Sequence, residues 1–269
     1  MKGKFKKISR PKLSSKQDKP QRGYLLLSLF FAVQAGILLF FGKSDYFPVT
    51  ASFLTKDPLL SNSGKVVMTS ATRTVFNVNI LHILSLLLIF MAVYYLVIGK
   101  FLQAKYLNSI KGKLSSYKWV NIGVSTTLVM IILCMLLGVF DLGSILMIMA
   151  LISTLSVTGY LAERLKNTDQ SSSRLSFILG SSALTVVWVV FAYYIWNSAV
   201  IGGGGLEWYA YLTALIALLL TYMQQLSLRT YCMSSKGKWA DYSYIEKINQ
   251  KLSIVLVMAV VWITFFGIK

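Results

Sequence analysis

An all-α membrane protein of seven spanning helices, with a small extracellular β-hairpin between the first two, is the fold class this sequence predicts. Three observations point there. Only 13% of the 269 residues are charged, against about 25% in soluble domains, and the mean hydropathy is +0.65. Seven apolar stretches can be read at roughly 24–42, 76–99, 119–140, 144–162, 175–196, 207–228 and 252–268, each close to the ~20 residues a helix needs to cross a bilayer. The basic residues gather between alternate stretches. A β-barrel does not fit, because barrel strands are ~10 residues of alternating pattern and these runs are apolar all round.

The first stretch is too long for the h-region of a signal peptide, and no A-x-A site follows it. It is read as a retained helix. Before it, residues 1–23 ("MKGKFKKISRPKLSSKQDKPQRG") are expected to form a solvated basic tail that can lie on anionic headgroups. Phe5 is the tail's sole aromatic ahead of its end, so no nucleic-acid partner is expected. The domain proper is placed at 24–268.

Charge sets the orientation. The tail carries nine of the 27 Lys and Arg. The second-to-third connection adds Lys100, Lys105, Lys111, Lys113 and Lys118, the fourth-to-fifth Arg164, Lys166 and Arg174, and the sixth-to-seventh Arg229, Lys236, Lys238, Lys247 and Lys251. The opposite side keeps Lys43, Lys56, Lys65, Arg73 and Lys269. Positive residues stay inside. The N-terminus is therefore expected in the cytoplasm and the C-terminus outside, which requires an odd number of spans. The plasma membrane is the expected location.

The outer connections follow. The first, about residues 43–75, holds the β-prone runs "YFPVTASFL" and "GKVVMTSATRTVF" around "TKDPLLSNS", which predicts a hairpin or small sheet. The next, "GVFDLG", is tight. The third contains Gly202–Gly205, a flexible turn rather than a phosphate loop, since no lysine and helix follow it.

The interior looks chemically quiet. Asp141, Glu163 and Glu207 fall at span ends, so no pair of buried carboxylates is expected, and the intramembrane ionisable groups of pumps and proton relays are missing at mid-depth. His82 is the single histidine and is expected to be neutral and bonded to a neighbouring helix. One histidine cannot build a metal site, and Cys134 and Cys232 sit on different elements and depths, which argues against a disulfide. No nucleophile–base pair is apparent, so the chain is read as not an enzyme. Polar positions remain inside: Asn121 and Ser125 on one face of the third span, Thr126 and Thr127 beside them, Gln224 and Gln225 on the sixth, Ser253 and Thr264 on the seventh. Interhelical hydrogen bonds or a small pocket between spans three and seven both account for them.

The order of several short motifs resembles the heliorhodopsin family over about residues 24–268. They are Trp119-Val120, the Ser/Thr cluster 125–127, Gly138 with Asp141, the Gly159-Tyr160-Leu161-x-Glu163 run, Gly180 with Trp188, "KGKW" at 236–239, and Trp262 with Gly267. The resemblance implies a seven-helix rhodopsin-like bundle and a homodimer. It also implies all-trans retinal on a lysine of the last span, with a glutamate counterion on the third. Carried over position by position, the lysine falls on Val257 and the glutamate on Asn121, while the serine one turn earlier is kept as Ser253. Two pocket histidines fall on Phe31 and Tyr94. Lys247 and Lys251 are ten and six residues from Val257, about 15 and 9 Å along a helix, and cannot stand in.

Lysine and counterion are thus missing together, which avoids leaving one buried charge alone. No covalent retinal and no other cofactor are expected. The candidate vestigial pocket comprises Asn121, Ser125, Ser253, Val257, Trp262, Tyr94 and Trp188. A sensory or interaction component follows, with membrane lipid, a second copy and an unknown cytoplasmic protein on the basic face as partners. The alternatives are a receptor that holds a lipid, carotenoid or free retinal non-covalently, an uncharged-pore channel or transporter, and a filled bundle without a pocket.

Overall fold

The computed structural model describes residues 18–56, 66–234 and 236–268. Its order is α1 (Asp18–Phe41), β1 (Tyr46–Lys56), β2 (Met68–Asn79), α2 (Ile80–Leu96), α3 (Gln103–Lys111), α4 (Ser116–Leu137), α5 (Leu142–Leu165), α6 (Gln170–Val200), α7 (Trp208–Met233) and α8 (Tyr242–Ile268). Seven of these helices are long and apolar enough to span a membrane, α3 being the exception. The protein is a multi-pass membrane bundle.

Local chemistry fixes the ends. Asn79 caps α2 by accepting the Leu81 N–H at 2.9 Å. Ser115 caps α4, Asp141 caps α5 and Asp169 caps α6, each through its side-chain oxygen. Gly138 ends α4 with φ +81°, a left-handed conformation that costs a glycine little. The end of α2 loosens into a π-helical segment, Val97–Phe101, before α3.

The centre of the bundle is α4, which packs against α2, α5, α6, α7 and α8 and is the most buried of the spans. Leu88, Met91, Met130, Leu133, Val187, Phe191 and Val257 belong to one continuous apolar core. A second, smaller cluster around Trp119, Tyr231, Tyr242 and Ile245 lies at the opposite end from the hairpin. The basic connections converge on this end, called the basic end below.

The hairpin forms as expected. β1 and β2 pair antiparallel from Tyr46↔Asn79 to Lys56↔Met68, with a bulge where Val49↔Phe76 gives way to Thr50↔Thr74. Beside the bulge the Thr50 N–H donates to the Phe140 carbonyl at 2.8 Å. This fastens the sheet to the α4–α5 corner.

Four expectations need correction. α1 begins at Asp18, so the last residues of the expected tail are helical; residues 1–17 lie outside the described residues. α6 and α8 overrun their apolar stretches, α8 by ten residues at its start, because its first turns present one buried face despite their charges. His82 is exposed, not tucked against a neighbouring helix. Lys118 is not a connection residue but sits in the first turn of α4, buried. Cys134 and Cys232 are both buried and free.

Candidate functional site

The expectation of no paired buried carboxylates is overturned at the basic end. Glu163 near the end of α5 and Glu246 in the second turn of α8 are both buried, and Lys118 lies between them, also buried. The Lys118 ammonium pairs with Glu163 Oε1 and stands 3.7 Å from Glu246 Oε2. Glu163 Oε2 accepts from the Trp119 indole N–H at 2.8 Å and from the Tyr242 hydroxyl at 3.2 Å. Glu246 Oε1 accepts from the Tyr106 hydroxyl at 2.6 Å, and Gln250 donates to that hydroxyl at 2.6 Å. The ammonium also lies 5.0 Å from the centres of the Trp119 and Tyr242 rings, a cation–π arrangement.

Each helix supplies its part for a reason visible in the sequence. Gly159 lies one turn before Glu163, and a side chain there would overlap the Trp119 ring. The glycine therefore lets the indole approach α5 closely while its N–H reaches Glu163. Ser115 caps α4 at the Lys118 N–H, which starts the helix where the lysine must point inward. On α8, Tyr242, Glu246, Asn249 and Ser253 are buried on one face, at helical spacing. On α3, outside the spans, burial raises the Tyr106 phenol well above its ordinary pKa, and the neighbouring Glu246 carboxylate adds to this. Tyr106 is accordingly a donor throughout the ordinary pH range.

The cluster joins α3, α4, α5 and α8 by charge-assisted bonds in a water-poor setting. Two carboxylates face one ammonium, and Glu246 Oε2 has no hydrogen-bond partner among the described residues. Removing one partner of such a buried pair strands the other charge and costs about 3–5 kcal/mol.

The sequence-predicted site residues lie on α2, α4, α6 and α8. Val257 is fully buried in the main core, and Trp188 belongs to the same core. Asn121 and Ser125 are buried on α4; the Ser125 hydroxyl donates to the Asn121 carbonyl at 2.6 Å. Ser253 pairs across helices, accepting from Gln224 Nε2 at 3.1 Å, and Ser227 donates to Asn249 at 2.8 Å one step nearer the basic end. Trp262 is turned to α1, its indole N–H donating to Gln34 Oε1 at 2.8 Å. Tyr94 is half-buried, edge-on to Tyr95 at 5.3 Å, while Phe31 stacks on Tyr95 at 5.9 Å. The Asn121 Oδ1, Thr126 Oγ1 and Trp188 Nε1 atoms are buried without a hydrogen-bond partner among the described residues.

No lysine of α8 faces the interior: Lys247 and Lys251 are both exposed. Among the described residues Lys118 is the buried lysine, and Glu163 holds it.

Seven spans with a central α4, a hairpin between the first two, and a polar clamp at the other end define a seven-helix membrane protein of the rhodopsin-like type. The Heliorhodopsin family model matches residues 21–268, so the chain belongs to the heliorhodopsin family. No curated protein matches it.

Proposed function

We propose that this is a heliorhodopsin-family protein that does not hold retinal covalently and acts as a sensory or interaction component of the plasma membrane, with its basic end in the cytoplasm. It is neither an ion pump nor an enzyme. The observation that carries the reading is Val257, fully buried in α8 at the position the resemblance gives to the Schiff-base lysine. Asn121 at the counterion position supports it, because an interior without the cation has no need of the anion. The basic end attracts an acidic cytoplasmic partner or anionic lipid, and a homodimer is the assembly proposed.

The test is reconstitution of the full chain with all-trans retinal, followed by a visible spectrum and borohydride reduction. The expected result is no band that borohydride fixes to the protein. A red-shifted band that becomes covalent on reduction would defeat the reading.

A second reading, a receptor for a non-covalent apolar ligand, is favoured by the Asn121, Thr126 and Trp188 atoms that have no partner among the described residues, since buried polar groups ordinarily find one. A retinal or carotenoid band that solvent extraction removes would support it. Selective conductance in liposomes would instead support an uncharged pore.

A further inference from the structure

A cavity of about 460 Å³ opens at the basic end between the start of α6 and the end of α7. Arg174 and Arg229 stand on its two sides, and Phe177, Ile178 and Met233 line it with apolar surface. Both arginines are exposed, and neither has an acidic side chain within ion-pair distance among the described residues. The nearest acid along α6, Asp169, is turned onto its own helix start, accepting from the Ser171 and Ser172 backbone and hydroxyl groups. A third cation, Lys166, lies close by with its ammonium over the Tyr231 ring.

We infer that this cavity seats the phosphate headgroup of an anionic phospholipid from the leaflet at the basic end, between Arg174 and Arg229. Two unpaired guanidinium forks facing one space match the oxygens of a phosphodiester, which they bind in bidentate fashion. The volume falls in the range of organic-ligand pockets, about 300–1,000 Å³, and exceeds what a bare ion needs. The apolar lining decides the source of the phosphate. Ile178 and Met233 continue into the outward-facing Leu175, Leu179, Met223 and Leu226, a surface that suits acyl chains and offers nothing to a soluble phosphate. The inference depends on the membrane-spanning fold alone and stands whether or not the chain holds retinal.

The experiment is native mass spectrometry of the full chain released from nanodiscs of phosphatidylcholine mixed with phosphatidylglycerol. The expected outcome is selective retention of phosphatidylglycerol. Arg174→Gln and Arg229→Gln each weaken that retention by about fivefold, equivalent to about 1 kcal/mol. Lys236→Gln with Lys238→Gln, elsewhere on the same basic surface, leaves it unchanged. Unchanged thermal midpoints of the arginine variants in pure phosphatidylcholine confirm that they fold. Equal retention of the two lipids overturns the inference. An equal loss in the lysine variant also overturns it, because diffuse surface charge would then suffice. Displacement of the lipid by inorganic phosphate at matching concentration would assign the site to a soluble anion instead.

Discussion

The Trp119 ring occupies the space that a side chain at residue 159 would take, and its N–H donates to Glu163 on the next turn of the same helix. A glycine, an indole and a carboxylate from two helices thus form one joint. Gly159→Ala forces the joint apart and is expected to lower stability by about 1–3 kcal/mol, the usual range for overpacking. The loss shrinks in a Trp119→Phe background, because the atoms nearest the added methyl belong to the six-membered ring of the indole. A double-mutant cycle on thermal unfolding in detergent reads the coupling. Equal losses in both backgrounds would mean that the ring and residue 159 are not in contact.

Lys118→Met removes the cation between two buried carboxylates. The expected cost is about 3–5 kcal/mol. Adding Glu246→Gln takes away one of the stranded charges and recovers part of the loss. Unfolding of the single and double variants under one set of conditions checks this. A double variant less stable than Lys118→Met would contradict the electrostatic account.

Val257→Lys places an unpaired ammonium in the core and is expected to destabilise by about 2.5–3.5 kcal/mol, the cost of a lysine at the centre of a spanning helix. Asn121→Glu in the same chain offsets part of this. With all-trans retinal present, the double variant should form a band that borohydride fixes. If Val257→Lys unfolds at the parent temperature, residue 257 does not face the apolar interior.

Asp169 lies outside the spans' apolar cores, as the cap of α6. Hydrogen bonds from the Ser172 and Ser171 hydroxyls, with their backbone N–H groups, lower its pKa from 3.8 to about 2. A lowered folded-state pKa contributes stability above the unfolded value, and that contribution fades as pH falls from 3.8 towards about 2. Wild type should therefore exceed Asp169→Ala in thermal midpoint near neutrality, and the gap should narrow across this acid window. A gap that stays constant there would exclude the carboxylate as its source.

Much of the architecture was legible because membrane burial writes itself as length and hydropathy. The seven spans, the hairpin at Tyr46–Asn79 and the Gly138–Asp141 corner all follow from local signals. The clamp did not. Lys118 and Glu163 are 45 residues apart, and each sits at a span end, where a charge is ordinarily solvated or snorkelling. Average hydropathy cut the last span at residue 252, which hid the face made by Tyr242, Glu246, Asn249 and Ser253. Their spacing of four, three and four residues was the available signal. Ser253 was found as a buried polar group, but its partner was not, because Gln224 lies on α7 and nothing local links them. Trp262 was drawn into the pocket by its place on α8. Its bond to Gln34 depends on the α1–α8 approach, which is a tertiary fact.

Asn79 belongs to two elements at once. It closes the register of β2 opposite Tyr46 and caps α2 through the Leu81 N–H, so no linker separates sheet from helix. The Thr50 bond to Phe140 pins the other strand to the α4–α5 corner. The hairpin is therefore tied to the bundle rim through both of its strands. One strand is thus continuous with α2 and the other is bonded to the corner that joins α4 to α5, the two helices that carry Lys118 and Glu163 at their far ends.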